Sequence, residues 1–205
     1  MQINIKQIMI SGFLLWLFSV IGTTLVAVTQ QTTLERIAAN EKRVLLRTLY
    51  ELVPASSIDN DMALDAIEVE PSALLGTSKN SMIYRARKNS SPVAVVFNAI
   101  ASGGYSGDIH LLIAVNQDGS LAGVRAVKHN ETPGLGDAIE VRKSSWILGF
   151  DGRSLIDPPL DAWKVKRDGG AFDQITGATI TPRAIVRAVK NTLEYYQSNQ
   201  ERLFQ

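Results

Sequence analysis

The segment Asp173–Pro182 carries the residue types and spacing of an anion-binding site. Small residues and hydroxyls lead into a predicted helix, with Thr181 as its N-cap and Pro182 as its first residue. Free backbone N–H groups and the dipole at such a helix start favour a phosphate group. Gly177 and Ala178 would let the backbone approach a ligand closely. The same pattern also fits an ordinary capped turn before a helix.

A second candidate segment, residues 129–137, reads His-Asn-Glu-Thr-Pro-Gly-Leu-Gly-Asp. Its proline fixes one φ angle and its two glycines permit unusual backbone angles, which suits a loop laid against a planar ring. An ordinary turn after a strand fits equally well. The glycines do not form a dinucleotide-binding fingerprint because a third glycine is missing. His129 and Glu131 have the spacing of a zinc deaminase motif, but its cysteines are absent.

A third segment, Gly104–Gly107, nearly matches the turn that carries the serine nucleophile of many hydrolases. It lacks one residue before the second glycine, so it predicts a turn into a strand at Asp108. A membrane-tethered hydrolase using Ser106 or a threonine, with His110 or His129 as its base, stays open as an alternative without a complete motif.

The composition limits the chemistry available to the chain. Its 205 residues include no cysteine and two histidines, which excludes disulfides, iron–sulfur clusters, thiolate zinc sites, cysteine nucleophiles and three-histidine metal sites. Any redox chemistry must therefore come from an organic cofactor. The 21 basic and 20 acidic residues leave no basic excess for a nucleic acid, which we do not expect as a partner.

The N-terminal part of the chain predicts one transmembrane helix. Residues 8–28 form a run of 21 residues without a charge, and as a helix of about 32 Å they would cross the bilayer core in contact with membrane lipid. The length of the run and the residues after it fit a cleaved signal peptide poorly. Helical spacing continues over Thr33–Val53 and stops at Pro54, which predicts a stalk helix.

The charges beside this anchor leave its orientation nearly even. Lys6 precedes the apolar run and four basic residues follow it within about 20 residues, a bias that favours a cytoplasmic C-terminal domain. Long domains cross membranes largely regardless of charge, so the bias is weak.

The remaining chain predicts an α+β domain. The alternation of apolar residues predicts strands at 82–84, 92–97, 108–115, 121–128 and 163–166. A tight hairpin at Asp118-Gly119 joins the third and fourth of them. A hairpin-rich region followed by a terminal helix favours α+β over a doubly wound α/β fold.

Two helices complete this prediction. A short helix is expected over residues 137–150, and a terminal helix buries a stripe made of Ile185, Val189, Leu193 and Tyr196. Residues 55–80 have no clear pattern. The chain thus divides into an N-terminal tail and anchor (1–29), a stalk helix (30–54) and one domain (55–205).

The motifs together resemble those of one protein family. Residues 173–179 match the D-x-x-[ST]-G-A-T signature of the covalent FMN-binding domain found in NqrC and RnfG subunits of ion-translocating oxidoreductases. Residues 104–107, 129–137 and 168–170 are also similar to this family. The resemblance covers nearly the whole chain, least securely residues 30–80, and the length and single anchor resemble the RnfG branch more than the longer NqrC branch.

This resemblance implies a covalently bound FMN cofactor, joined by a phosphoester to the last threonine of the signature, which here is Thr179. Physical reasoning alone does not separate Thr179 from Thr176. The expected flavin site has no metal and no catalytic residue of its own. Its other expected cofactor-binding residues are Asp173, Thr176, Gly177, Ala178, Gly104, Tyr105, Glu131, Thr132, Gly134 and Leu135.

The resemblance also implies a function and a location. Such a subunit is a single-pass protein of the bacterial inner membrane, with its C-terminal domain on the periplasmic side. It carries electrons between other subunits of an Rnf-type complex and turns over no substrate independently. A separate flavin transferase attaches the cofactor. A cofactor-free scaffold subunit is the main alternative, since it would explain the anchor and the neutral domain equally well.

Overall fold

A computed structural model describes residues 5–204, without the side chain of Glu35. The first part of the predicted N-terminal tail, residues 1–4, lies outside this range. Helix α1, Ile5–Leu52, contains the uncharged run and continues through the predicted stalk without a break. It is long and apolar enough to cross a membrane. The chain separates into two compact units, one up to Leu45 and one from Leu46 onward.

The second unit is built on a five-stranded antiparallel sheet whose strands follow one another in chain order. This arrangement confirms the predicted α+β class. The strands are β1 (Ala66–Val69), β2 (Ser81–Lys88), β3 (Ser91–Gly104), β4 (Gly107–Asn116) and β5 (Leu121–Lys128). The first strand lies in the stretch that sequence patterns left unassigned.

Two tight turns set the register of the central strands. Gly104 pairs with Gly107 across the turn between β3 and β4, as the predicted turn requires. Between β4 and β5, the backbone N–H of Asn116 donates to the carbonyl of Ser120, and the Asp118 carboxylate accepts from Ser120. The predicted Asp-Gly hairpin is therefore confirmed.

Each face of the sheet is covered by a helix segment of the same unit. Helix α2, Ile180–Leu203, buries its predicted stripe against one face, where Phe97 meets the rings of Tyr195 and Tyr196 edge-on. On the other face, the end of α1 packs against β5. A Cβ on Gly123 would lie 2.9 Å from Cδ2 of Leu52, so this glycine lets the helix end pack closely on the sheet.

Two predictions between β5 and α2 need correction. The helix predicted at 137–150 is instead two short 3-10 segments, Gly136–Ile139 and Trp146–Phe150. The strand predicted at 163–166 is wrong. Residues 163–165 lie between the 3-10 turns Leu160–Ala162 and Lys166–Asp168. The N–H groups of Trp163 and Lys164 bond to the carbonyls of Leu160 and Ala162, and Val165 forms an isolated bridge with Phe172.

Candidate functional site

The hydroxyl-rich segment forms a tight turn directly before α2. The backbone N–H of Ala178 donates to the carbonyl of Ile175 at 3.1 Å, and Gly177 has a φ of +82°. A Cβ on Gly177 would also lie 2.7 Å from Cδ2 of Leu135. The left-handed turn therefore requires Gly177, and a side chain there would also displace the end of the Leu135 side chain.

Thr179 is the N-cap of α2 and is partly exposed. Within residues 5–204 the Thr179 hydroxyl makes no hydrogen bond. Thr179 therefore occupies the N-cap position, but its side chain does not bond to the N–H groups of the helix. The first N–H groups of any helix lack intrahelical partners, and Pro182 has no backbone N–H group. The free donors of this first turn thus belong to Ile180 and Thr181, next to the Thr179 hydroxyl.

The predicted N-cap, Thr181, is wrong by two residues. Thr181 lies inside the helix and is fully buried, and its hydroxyl donates to Oε2 of Glu131 at 2.5 Å. That contact takes the hydroxyl away from the helix end. Pro182 is consequently the third helical residue, where a proline is still tolerated because no N–H is needed in the first turn.

Glu131 joins the three segments singled out in the sequence. It is 5% exposed, its Oε1 accepts from the backbone N–H of Ser106 at 3.0 Å, and its Oε2 accepts from Thr181. Two glycines make room for this carboxylate: a Cβ on Gly104 would lie 2.8 Å from Oε1, and one on Gly136 would lie 2.6 Å from Oε2. We call Glu131, Thr181, Gly136 and the Ser106 N–H the Glu131 cluster.

Local hydrogen bonds shape the loop that carries Glu131. The carbonyl of Thr132 accepts from the N–H groups of Leu135 and Asp137. The buried carboxylate of Asp137 accepts from Lys143 at 2.5 Å and from the N–H of Gly134, and these hydrogen bonds lower its pKa below the ordinary range, the Lys143 bond most strongly. This loop is therefore held from within as well as by Glu131.

Both ring nitrogens of His129 contact residues close to it in the sequence. Its Nδ1 accepts from the backbone N–H of Glu131 at 3.2 Å, and its Nε2 lies 3.3 Å from Glu140. Both ring nitrogens are thus engaged away from the Ser106 hydroxyl, and Ser106 contributes its backbone N–H to Glu131. His110 is half-buried on β4. Among the described residues, neither histidine hydrogen-bonds to Ser106.

The other side of the turn is held by exposed charges. Arg183 donates twice to the Asp168 carboxylate, at 2.6 and 2.7 Å, and these hydrogen bonds lower the pKa of Asp168 and raise that of Arg183. Lys166 donates to the Asp173 carboxylate at 2.6 Å. We call these two pairs the surface ion pairs. The Asp173 carbonyl also accepts from the Trp146 indole N–H.

The predicted site residues thus occupy different environments. The structure brings together Gly104, Glu131, Leu135 and Gly177 with the start of α2, while Asp173 is held by Lys166 and Trp146. Tyr105 and Thr176 are exposed, and in the described part of the chain neither side chain hydrogen-bonds to the Glu131 cluster. Sequence patterns did not identify Gly136, the Ser106 N–H or the buried role of Thr181.

The geometry suits a phosphate-linked organic group better than a metal. A free, partly exposed hydroxyl lies at the positive end of a 24-residue helix. Leu135 and Ile180, 43% and 45% exposed, offer apolar surface nearby for a planar ring. Residues 5–204 contain no cluster of three or more side chains that could hold a metal ion.

Comparisons with known proteins match both the N-terminal and the C-terminal part of the chain. Residues 104–194 match the family described as FMN-binding domain, and residues 1–52 match the RnfG N-terminal region. The chain is 48% identical to the G subunit of the ion-translocating oxidoreductase complex of Pseudoalteromonas atlantica, over 97% of this chain and 93% of that protein. The corresponding protein of Pseudomonas aeruginosa is 47% identical, over 97% and 92% of the two chains.

The similarity extends to a further genus at nearly full length. The protein of the same name from Vibrio cholerae is 42% identical, over 94% of this chain and 92% of that protein. The match to the RnfG N-terminal region covers α1, and the match to the FMN-binding domain covers β4, β5 and most of α2. The chain therefore belongs to the family of G subunits of ion-translocating oxidoreductase complexes, with an RnfG N-terminal region followed by an FMN-binding domain.

Proposed function

We propose that this chain is the membrane-anchored electron carrier of an Rnf-type ion-translocating oxidoreductase complex, with FMN joined to Thr179 through its phosphate. Bound FMN would supply the electron-accepting and electron-donating chemistry that the side chains of this protein lack. The single observation that carries the proposal is the uncommitted Thr179 hydroxyl at the start of α2, inside the region that matches an FMN-binding domain.

The contacts around this threonine support its role. In the attachment, the Thr179 hydroxyl would lose its proton, and Oγ1 would bond to the flavin phosphorus in place of the leaving group of the flavin donor that the transferase supplies. The product would have the mass of protein plus FMN less one water. The N–H groups of Ile180 and Thr181 and the helix dipole stabilise the remaining phosphate charge. Thr181 is a poor acceptor of the flavin because it is buried and bonded to Glu131.

Membership of the same family supports a proposal about partners and location. We propose contacts with other subunits of the complex, attachment of FMN by a separate flavin transferase, and a bacterial inner-membrane location with α1 in lipid. The C-terminal domain would lie in the periplasm. A reporter that is active only outside the cytoplasm, fused after Gln205, tests this orientation, and a stable but inactive fusion would contradict it.

Replacement of Thr179 tests the attachment site. In the full-length chain, coexpressed with the transferase, Thr179→Val should abolish the flavin mass increment and the flavin fluorescence that survives denaturation. The matched variant Thr176→Val should keep both, since residue 176 lies three residues before Thr179, outside the first turn of α2. The measurements are intact mass and peptide fragmentation. Retained flavin in Thr179→Val, or its loss only in Thr176→Val, would refute the assignment.

The same experiment separates the carrier from a scaffold. A flavin spectrum that survives acid precipitation of the wild-type protein is expected for the carrier. A colourless protein, obtained with an active transferase present, would favour a cofactor-free scaffold subunit.

A further inference from the structure

Both oxygens of the buried Glu131 carboxylate are already occupied. Oε1 accepts from the Ser106 N–H and Oε2 accepts from the Thr181 hydroxyl, with 5% of the residue exposed. We propose that Glu131 is a positioning residue that fixes the start of α2, so that the Thr179 hydroxyl faces outward to receive the flavin phosphate. This proposal rests on the proposed function, and it gives Glu131 a role besides the expected contact with the flavin.

The rotation of the helix explains how a buried contact acts on an exposed hydroxyl. Successive helical residues are about 100° apart, so positions separated by two lie on nearly opposite sides. Glu131 holds the hydroxyl of Thr181 inward. Thr179, two residues earlier, is thereby directed away from the core, and the preceding turn at Gly177 brings the chain into that position.

The arrangement of donors in the Glu131 cluster suits a carboxylate side chain. Two donors, one from each neighbouring segment, point at one side chain, and an ionised carboxylate can accept from both without carrying a donor of its own. Gly136 closes the other side, since a Cβ there would lie 2.6 Å from Oε2, 3.0 Å from the Glu131 Cβ and 3.3 Å from the Thr181 hydroxyl. Its φ is not in the left-handed region, so glycine is needed for space alone.

Two matched pairs of variants test the proposal in the full-length chain. Thr181→Val removes the hydroxyl at nearly constant volume, and Thr181→Ser restores it. Gly136→Ala displaces the carboxylate, whereas Gly149→Ala adds the same methyl group at a glycine with no atom within 4 Å. The rate of flavin attachment by the coexpressed transferase is followed by intact mass and expressed per folded protein, with the folded fraction measured by thermal unfolding before attachment.

We expect Thr181→Val and Gly136→Ala to slow attachment roughly tenfold to a hundredfold, the effect of misplacing a reacting group by about an ångström. Thr181→Ser and Gly149→Ala should react at close to the wild-type rate. A merely structural role would lower the folded fraction and leave the rate per folded molecule unchanged, which would overturn the proposal. Failure of Thr181→Ser to restore the rate would also overturn it. A wild-type chain without flavin would instead refute the proposed function.

Discussion

The start of α2 is held on one side by the Glu131 cluster and on the other by the surface ion pairs. Both use carboxylates, and the distances are similar, at 2.5 Å for Thr181 to Glu131 and 2.6 Å for Arg183 to Asp168. Their surroundings differ, since Glu131 is 5% exposed and the Asp168 side chain is 36% exposed. A buried acceptor cannot exchange a lost partner for water, whereas an exposed one can. The Glu131 cluster and the surface ion pairs therefore differ in solvent exposure rather than in hydrogen-bond geometry.

The largest effect is expected from removing the buried carboxylate. Glu131→Ala leaves the Ser106 N–H and the Thr181 hydroxyl without their acceptor, and we expect the free energy of unfolding to fall by about 3 kcal/mol. Denaturant unfolding of the protein before flavin attachment measures this loss. A loss as small as that from breaking a surface ion pair would contradict the idea that the buried Glu131 cluster stabilises the domain more than the surface ion pairs do.

A smaller, pH-dependent effect is expected at Asp137, beside the Glu131 loop. The hydrogen bond from Lys143 lowers the pKa of Asp137, so its stabilising contribution is present above the unfolded-state pKa, about 3.9, and is lost as pH falls through the lower folded-state pKa. Asp137→Asn should therefore lose stability at neutral pH and show a weaker decline in acid. Thermal unfolding midpoints between about pH 6 and pH 2 test this. Equal acid sensitivity of the two proteins would contradict it.

The smallest effect is expected at the surface ion pairs. Asp168→Asn should change the unfolding midpoint only slightly, because exposed ion pairs contribute little and are screened by salt. The remaining difference from the wild type should disappear at about 1 M salt, where the screening length is about 3 Å. A loss that matches Glu131→Ala and resists salt would show that exposure does not decide the importance of these contacts.

The sequence predicted the parts of the fold that depend on local patterns. Alternating apolar residues identified β3, β4 and β5, and the Asp118-Gly119 pair identified their second hairpin, because strand period and turn chemistry act over a few residues. The segment from 136 to 168 was mispredicted because its short 3-10 turns, set among prolines and glycines, have no such period. The four-residue strand β1 is too short to show one.

In the candidate site, too, the sequence predicted the local features and missed the long-range contacts. The turn at Gly177 and the helix start near Pro182 could be located from residue types alone. The N-cap was misplaced by two residues because a Thr-Pro pair is typical of a helix start, while the competing partner of Thr181 lies 50 residues away in the sequence. A pattern over a few neighbouring residues cannot predict a contact between residues so far apart in the sequence. The Asp168–Arg183 pair likewise joins two segments that only the fold brings together.

The positions of Thr176, Thr179 and Thr181 bear on the order of events in biosynthesis. In an unfolded chain these hydroxyls are chemically alike and only a few residues apart. The folded chain distinguishes them, since Thr181 is inside, Thr176 lies before the helix, and Thr179 stands at its positive end. An enzyme that selects among them by helix geometry must meet a chain that has already folded. If FMN is attached to Thr179 as proposed, only chains in which this domain has folded would carry the flavin.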